Sequence, residues 1–188
     1  MIANPKHIAF SCLLLGAITL AGCHNRETGK VVTTTQTPKE DTEQPYIEGN
    51  KEIMRLEQEE MELFIKRYGW EMQRSGTGLY YQILDPGHGE LFHEGETVTL
   101  KYLTFLLNGE RVYDSESNGV KTFKVARSEE IVALHEMATL LRPGAKARLV
   151  IPSHLAYGVT GDGNKINGRM PIAMIVETMN EERGESKN

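Results

Sequence analysis

The sequence is most informative at first in what it has little of. Only two cysteines occur in 188 residues, Cys12 and Cys23. The six histidines, at 7, 24, 88, 93, 135 and 154, show no His-x-x-x-His or mixed cysteine spacing of the kind that holds a metal. There is no G-x-S-x-G elbow to raise a nucleophilic serine and no G-x-x-x-x-G-K loop to cradle phosphate. Lys and Arg number 21 against 26 Asp and Glu, a net charge of -5, and no basic block is present. Nucleic acid is therefore not an expected partner. The longest apolar run, Ile8 to Gly22, falls short of the roughly 20 residues of a membrane span.

That run has its own meaning. Lys6 and His7 precede it, and it ends in "LAGC", Leu20 to Cys23. This pattern resembles a bacterial lipobox, in which small residues fit a peptidase site and the cysteine thiol takes up lipid. Residues 1–22 read as a lipoprotein signal peptide and Cys23 as the lipidated first mature residue. Cys12 is then lost and no free thiol remains, which excludes a disulfide framework or a cysteine-ligated metal. Residues 23–46 are rich in Thr, Glu, Lys and Pro and read as a flexible tether. Such a segment spans roughly 25–30 Å, enough to hold a domain clear of a membrane surface. The last residues, 181–188, read as a disordered tail.

Residues 47–78 read as a helical extension. Ile53, Leu56, Met61, Phe64, Ile65 and Tyr68 recur at helical intervals among charged residues, and Gly69 offers a stop. The stripe packs on the following domain; the other reading pairs the 48–68 helix with an envelope protein partner. From Leu79 the period shortens to two. "LYYQIL", "ETVTLKYLTFLL", "TFKV", "AKARLVI" and "PIAMIVETM" read as strands separated by turn clusters. "SEEIVALHEMATLL" reads as a helix with Ser128 as N-cap, Glu129 and Glu130 serving its dipole, and Ile131, Leu134, Ala138 and Leu141 on one apolar face. His135 falls on the boundary face of that helix. The fold class is α+β: an antiparallel sheet with its helix on one face.

One loop stands out. "IPSHLAYGVTGDG", residues 151–163, carries Tyr157 among glycines where an aromatic ring has no local element to bury it. Together with "KYLTFLLNGERVYDS", "EEIVALHEMATLLRPGAKARLVIPSHLAYG" and "IVET", it resembles an FKBP-type peptidyl-prolyl isomerase domain. The domain is expected over residues 79–180. The preceding "FIKRYGWEMQRSGTGLYYQI" resembles the small FKBP lipoproteins associated with gliding motility.

The resemblance implies a twisted antiparallel sheet wrapped around one short helix, preceded here by the amphipathic extension. It also implies a pocket. Tyr102 and Tyr113 are its aromatic walls, Asp114 the acid at its rim and Leu134 its floor. Ile131 offers a backbone N–H to a substrate carbonyl, and Tyr157 aims its hydroxyl at the bound amide. Phe123, Ile166 and Met174 complete the substrate-binding surface. Leu134 stands where the family usually has tryptophan and Met174 where it usually has phenylalanine. One extra residue falls between Gly109 and Asp114. The implied activity is isomerisation of X-Pro bonds in proline-containing exported polypeptides, with an apolar residue preferred before proline. It needs no cofactor and no metal. The alternative is a catalytically weak proline-binding or chaperone module. Both belong to a lipid-anchored protein of the cell envelope.

Overall fold

The computed structural model describes residues 43–179. The signal segment 1–22, Cys23, most of the tether and the 181–188 tail lie outside the described residues. Helix α1 runs Glu43–Tyr68, so it takes in the last residues assigned to the tether. It ends on Gly69, whose φ of 63° lies in the left-handed region. The Trp70 and Gly69 amides turn back to the Ile65 and Lys66 carbonyls and close the helix end.

Seven strands follow: β1 Gln73–Arg74, β2 Tyr80–Asp85, β3 Thr97–Leu106, β4 Arg111–Asp114, β5 Lys121–Lys124, β6 Lys146–Ile151 and β7 Ile172–Thr178. A short helix α2, Ser115–Asn118, follows β4, and α3, Val132–Ala138, follows β5. The antiparallel sheet has the order β1-β2-β6-β7-β3-β4, with β5 pairing the first half of β3. Strand β4 is absent from the sequence expectation and is irregular. Thr104 pairs Tyr113 but Phe105 pairs Arg111, so Val112 is bulged out of register.

Alternation sorts the strand residues to two faces. Leu100, Tyr102, Leu106, Ala147, Leu149, Ile151, Ile172, Met174 and Val176 enter one buried cluster with Ala133, Leu134, Met137 and Ala138 of α3. Phe105, Leu107, Val150 and Ala173 point the other way and meet Met61 and Phe64 of α1. The helix therefore packs on the sheet through its C-terminal half. Ile53 and Leu56, placed by the sequence on the same stripe, remain 38% and 51% exposed.

The entry to α3 corrects a second expectation. The helix begins at Val132 with Ile131 as N-cap and no side-chain cap. Ser128 instead exchanges hydrogen bonds with the backbone of Lys124. His135 holds the intervening loop: its Nδ1 accepts the Ala126 N–H, which leaves Nε2 to donate to the Ser128 carbonyl. Ala126, at φ 55°, is kept in the left-handed region by that contact.

Candidate active site

The sheet register brings the site residues together. Across β6, β7, β3 and β4 one row reads Leu149, Met174, Thr104, Tyr113, and the neighbouring row Ala147, Val176, Tyr102. Tyr102, Phe123, Ile131, Leu134, Ile166 and Met174 share one buried cluster, with Tyr113 and Tyr157 half-buried against it. Leu134, Ile166 and Met174 are no more than 2% exposed, so they form a sealed floor, and the accessible groups are Tyr113 and Tyr157.

The loop bearing Tyr157 is built by backbone contacts. After β6, Pro152 leads into a single 3-10 turn, Ser153–Leu155. The Ser153 carbonyl accepts the amides of Ala156 and Gly158 on either side of the tyrosine. A Cβ at Gly161 would stand 2.3 Å from the Ile166 carbonyl, and one at Gly168 2.0 Å from that of Val159. At Gly161 and Gly168, two passes of chain are thus pressed backbone to backbone.

Its other anchor is Asp162, which sequence reasoning did not single out. One carboxylate oxygen accepts the amides of Asn164 and Ile166, at 2.8 and 2.9 Å, and the other accepts the Tyr113 hydroxyl. Burial pushes the Asp162 carboxyl up, but the Tyr113 hydroxyl and these amides outweigh it and hold it below the usual range. Tyr113 is therefore committed to the loop. Burial, reinforced by Asp162, raises its own pKa.

Tyr157 is different. Burial first, then the negative fields of Glu130 and Asp162 and the nearby phenols of Tyr113 and Tyr102, push it up to about 12. No hydrogen bond contributes to that shift. The hydroxyl is therefore held protonated, with a proton to donate. Tyr102 is also raised, chiefly by burial and then by Glu130 and Asp114.

Asp114 lies beside these residues with a local duty. Its carboxylate accepts the Ser117 N–H at 2.7 Å and caps α2. That amide, foremost, holds it below the ordinary carboxylate range, with Arg111 contributing at 3.7 Å. The Ile131 N–H is occupied as well. It donates at 3.0 Å to Oε1 of Glu130, whose Oε2 takes Lys121 Nζ at 2.7 Å. Lys121 in turn sits 5.3 Å from the Tyr102 ring centroid. The Glu130 carboxylate thus sits at the N-cap of α3 and holds the donor that the family resemblance implied for substrate. Among the described residues, no group of three or more His, Cys, Asp or Glu is arranged to hold a metal ion.

Residues 89–178 match the family described as FKBP-type peptidyl-prolyl cis-trans isomerase. The chain carries an FKBP-family domain. The probable FKBP-type isomerase FkpA of Neisseria meningitidis serogroup B is 30% identical over 135 residues, covering 70% of this chain and 48% of that protein. The outer membrane protein MIP of Legionella longbeachae is 32% identical over 90 residues, 48% of this chain and 38% of that protein. The crystal structure of FkpA from Escherichia coli superposes with a TM-score of 0.59 at 29% identity, over 73% of this chain and 63% of that one. The chain thus spans about half or less of the sequence relatives it matches. The FKBP-type domain contains every site residue named above, whereas α1 lies outside the matched residues.

Proposed function

We propose that this chain is a peptidyl-prolyl cis-trans isomerase acting on exported polypeptides. The observation that carries the reading is Tyr157, half-buried, protonated and without a hydroxyl partner among the described residues, packed in one cluster with Tyr102, Tyr113 and Ile131 over an apolar floor. Rotation about an X-Pro bond costs about 18–20 kcal/mol because the planar amide loses resonance. The twisted amide is less polar, so an apolar floor favours it over the hydrated planar forms. A preorganised phenol donor adds stabilisation where the rotating carbonyl points. No bond to the protein forms, and uncatalysed rotation takes roughly 10–100 s, slow enough to limit folding. Val132, next to Ile131 in sequence, and Val159, two residues past Tyr157, are 53% and 72% exposed and suit an apolar residue before proline. A protease-free assay of a Leu-Pro peptide with the full chain tests this. Accelerated exchange supports it, and an unchanged rate at micromolar protein defeats it.

A second reading follows from Glu130. Its carboxylate occupies the Ile131 N–H, and Leu134 is sealed beneath. Both favour weak turnover, and at the limit a module that grips proline-containing segments without rotating them. Peptide-induced shifts of the Tyr157 ring resonances without acceleration identify that case. We place the protein in the cell envelope, anchored through lipid on Cys23. The name of the Legionella relative supports an envelope setting, and no helix among the described residues is long and apolar enough to cross a membrane. Cys23→Ala should release the chain from the membrane fraction.

A further inference from the structure

Glu57 lies on α1, on the opposite face of the sheet from α3, yet it reaches the Tyr157 loop. Its Oε1 accepts the Ser153 backbone N–H, and its Oε2 accepts the Ser153 hydroxyl at 2.9 Å, across 96 residues of sequence. Ser153 is buried, with 7% of its surface exposed. It is also the hub of the turn, because its carbonyl accepts the Ala156 and Gly158 amides at 3.0 and 2.8 Å. A single carboxylate thus fixes the residue that brackets Tyr157. The adjoining contacts point the same way. The His154 ring meets the Thr77 carbonyl at 3.2 Å, and Arg74 donates to Gln58 of α1 at 3.1 Å.

We propose that Glu57 is a positioning residue for the candidate site: a helix outside the FKBP-type domain clasps the base of the Tyr157 loop and sets the aim of its hydroxyl. The inference rests on reading Tyr157 as the phenol that meets the substrate amide. Without the carboxylate, the Ser153 N–H is left buried and unpaired, and the turn must open toward water to satisfy it. Ala156 and Gly158 hang from the Ser153 carbonyl, so Tyr157 moves with them. Misplacement of a reacting group by a fraction of an ångström lowers turnover more than binding.

The test uses the full chain as wild type, Glu57→Ala, Glu57→Gln and Ser153→Ala, at a temperature where circular dichroism shows each fully folded. Two quantities are read: kcat and KM on a Leu-Pro peptide, and the Tyr157 ring resonances, assigned with Tyr157→Phe. In Glu57→Ala, kcat should fall about fivefold to tenfold with KM changed less than twofold, and the Tyr157 resonances should move. Glu57→Gln should restore both, since its carbonyl still accepts the Ser153 N–H and its amide donates to the hydroxyl. Ser153→Ala, which keeps the amide contact, should show a smaller displacement in the same direction. Should Glu57→Ala fail to fold, Ser153→Ala decides: displaced Tyr157 resonances support the clasp and unmoved ones overturn it. A folded Glu57→Ala with wild-type kcat and an unmoved Tyr157 also overturns it, as does equal loss in the Gln variant. If the wild type shows no turnover, the isomerase reading fails by itself, and the Tyr157 resonances still decide the clasp.

Discussion

The two faces of the sheet are closed in different ways. On the α1 face, apolar and aromatic groups pack over the sheet and cover the side chain of Arg148, whose Nε is buried without a partner among the described residues. Phe64, Tyr68 and Trp70 stack with centroids 4.6 to 5.6 Å apart, and Arg148 lies over Trp70 at 5.1 Å. On the α3 face the aliphatic floor is equally tight, but phenols and carboxylates crowd its rim. There Tyr113 is tied to Asp162 and Asp114 to Ser117, whereas the Tyr157 hydroxyl has no partner among the described residues. The leftover donor of one face, Arg148 Nε, is sealed away, whereas that of the other belongs to a half-buried ring at the rim. That asymmetry marks the site more clearly than hollow size does: a cavity of about 700 Å³ lined by His88, Gly89, Phe92 and Pro143 holds none of these groups.

Breaking the α1 face should give the largest effect. Phe64→Ala empties a buried ring site and should cost about 3–5 kcal/mol in denaturant unfolding. A cost below 1 kcal/mol would mean that α1 contributes little to the fold.

Alkali should test the α3 face next. Tyr157 has a folded pKa of about 12 against an ordinary 10.0. A raised pKa means that the neutral phenol is favoured by folding. Its contribution is thus complete below pH 10 and lost as pH rises toward 12. Stability should fall by up to about 2 kcal/mol across that window, and Tyr157→Phe should remove this component of the fall.

Tyr157→Phe is also the catalytic test. It should lower kcat/KM about tenfold, the worth of one hydrogen bond to the twisted amide, while leaving the melting temperature within a few degrees. The smallest effect is expected at Glu130. Replacement by Ala frees the Ile131 N–H and lets Lys121 turn to solvent, so affinity for a Leu-Pro peptide should rise about threefold by titration. Weaker binding would instead assign Glu130 to the recognition surface.

Most strands were legible because period-two alternation survives wherever one face is buried, as in the β3, β6 and β7 segments. Strand β4 was not, because four residues with a bulge at Val112 leave no period to read. The start of α3 was misread for a different reason. "SEE" is a good capping signal locally, but the His135 ring seven residues on takes the loop, and Lys121 takes Glu130. The site residues came from the family resemblance, and the structure gathers them around one floor. What was illegible were the tethers between distant segments: Tyr113 to Asp162 spans 49 residues and Glu57 to Ser153 spans 96. Nothing local names the partner of a carboxylate.

The bulge at Val112 reaches beyond register. At high concentration a protein meets its own copies constantly, and an open strand is an invitation to polymerise. At one end the sheet offers only the two residues of β1; at the other, two short strands divide β3 between them, one of them kinked by the bulge. Neither margin is long or flat enough for a neighbour to zip onto, so crowding should leave these molecules separate.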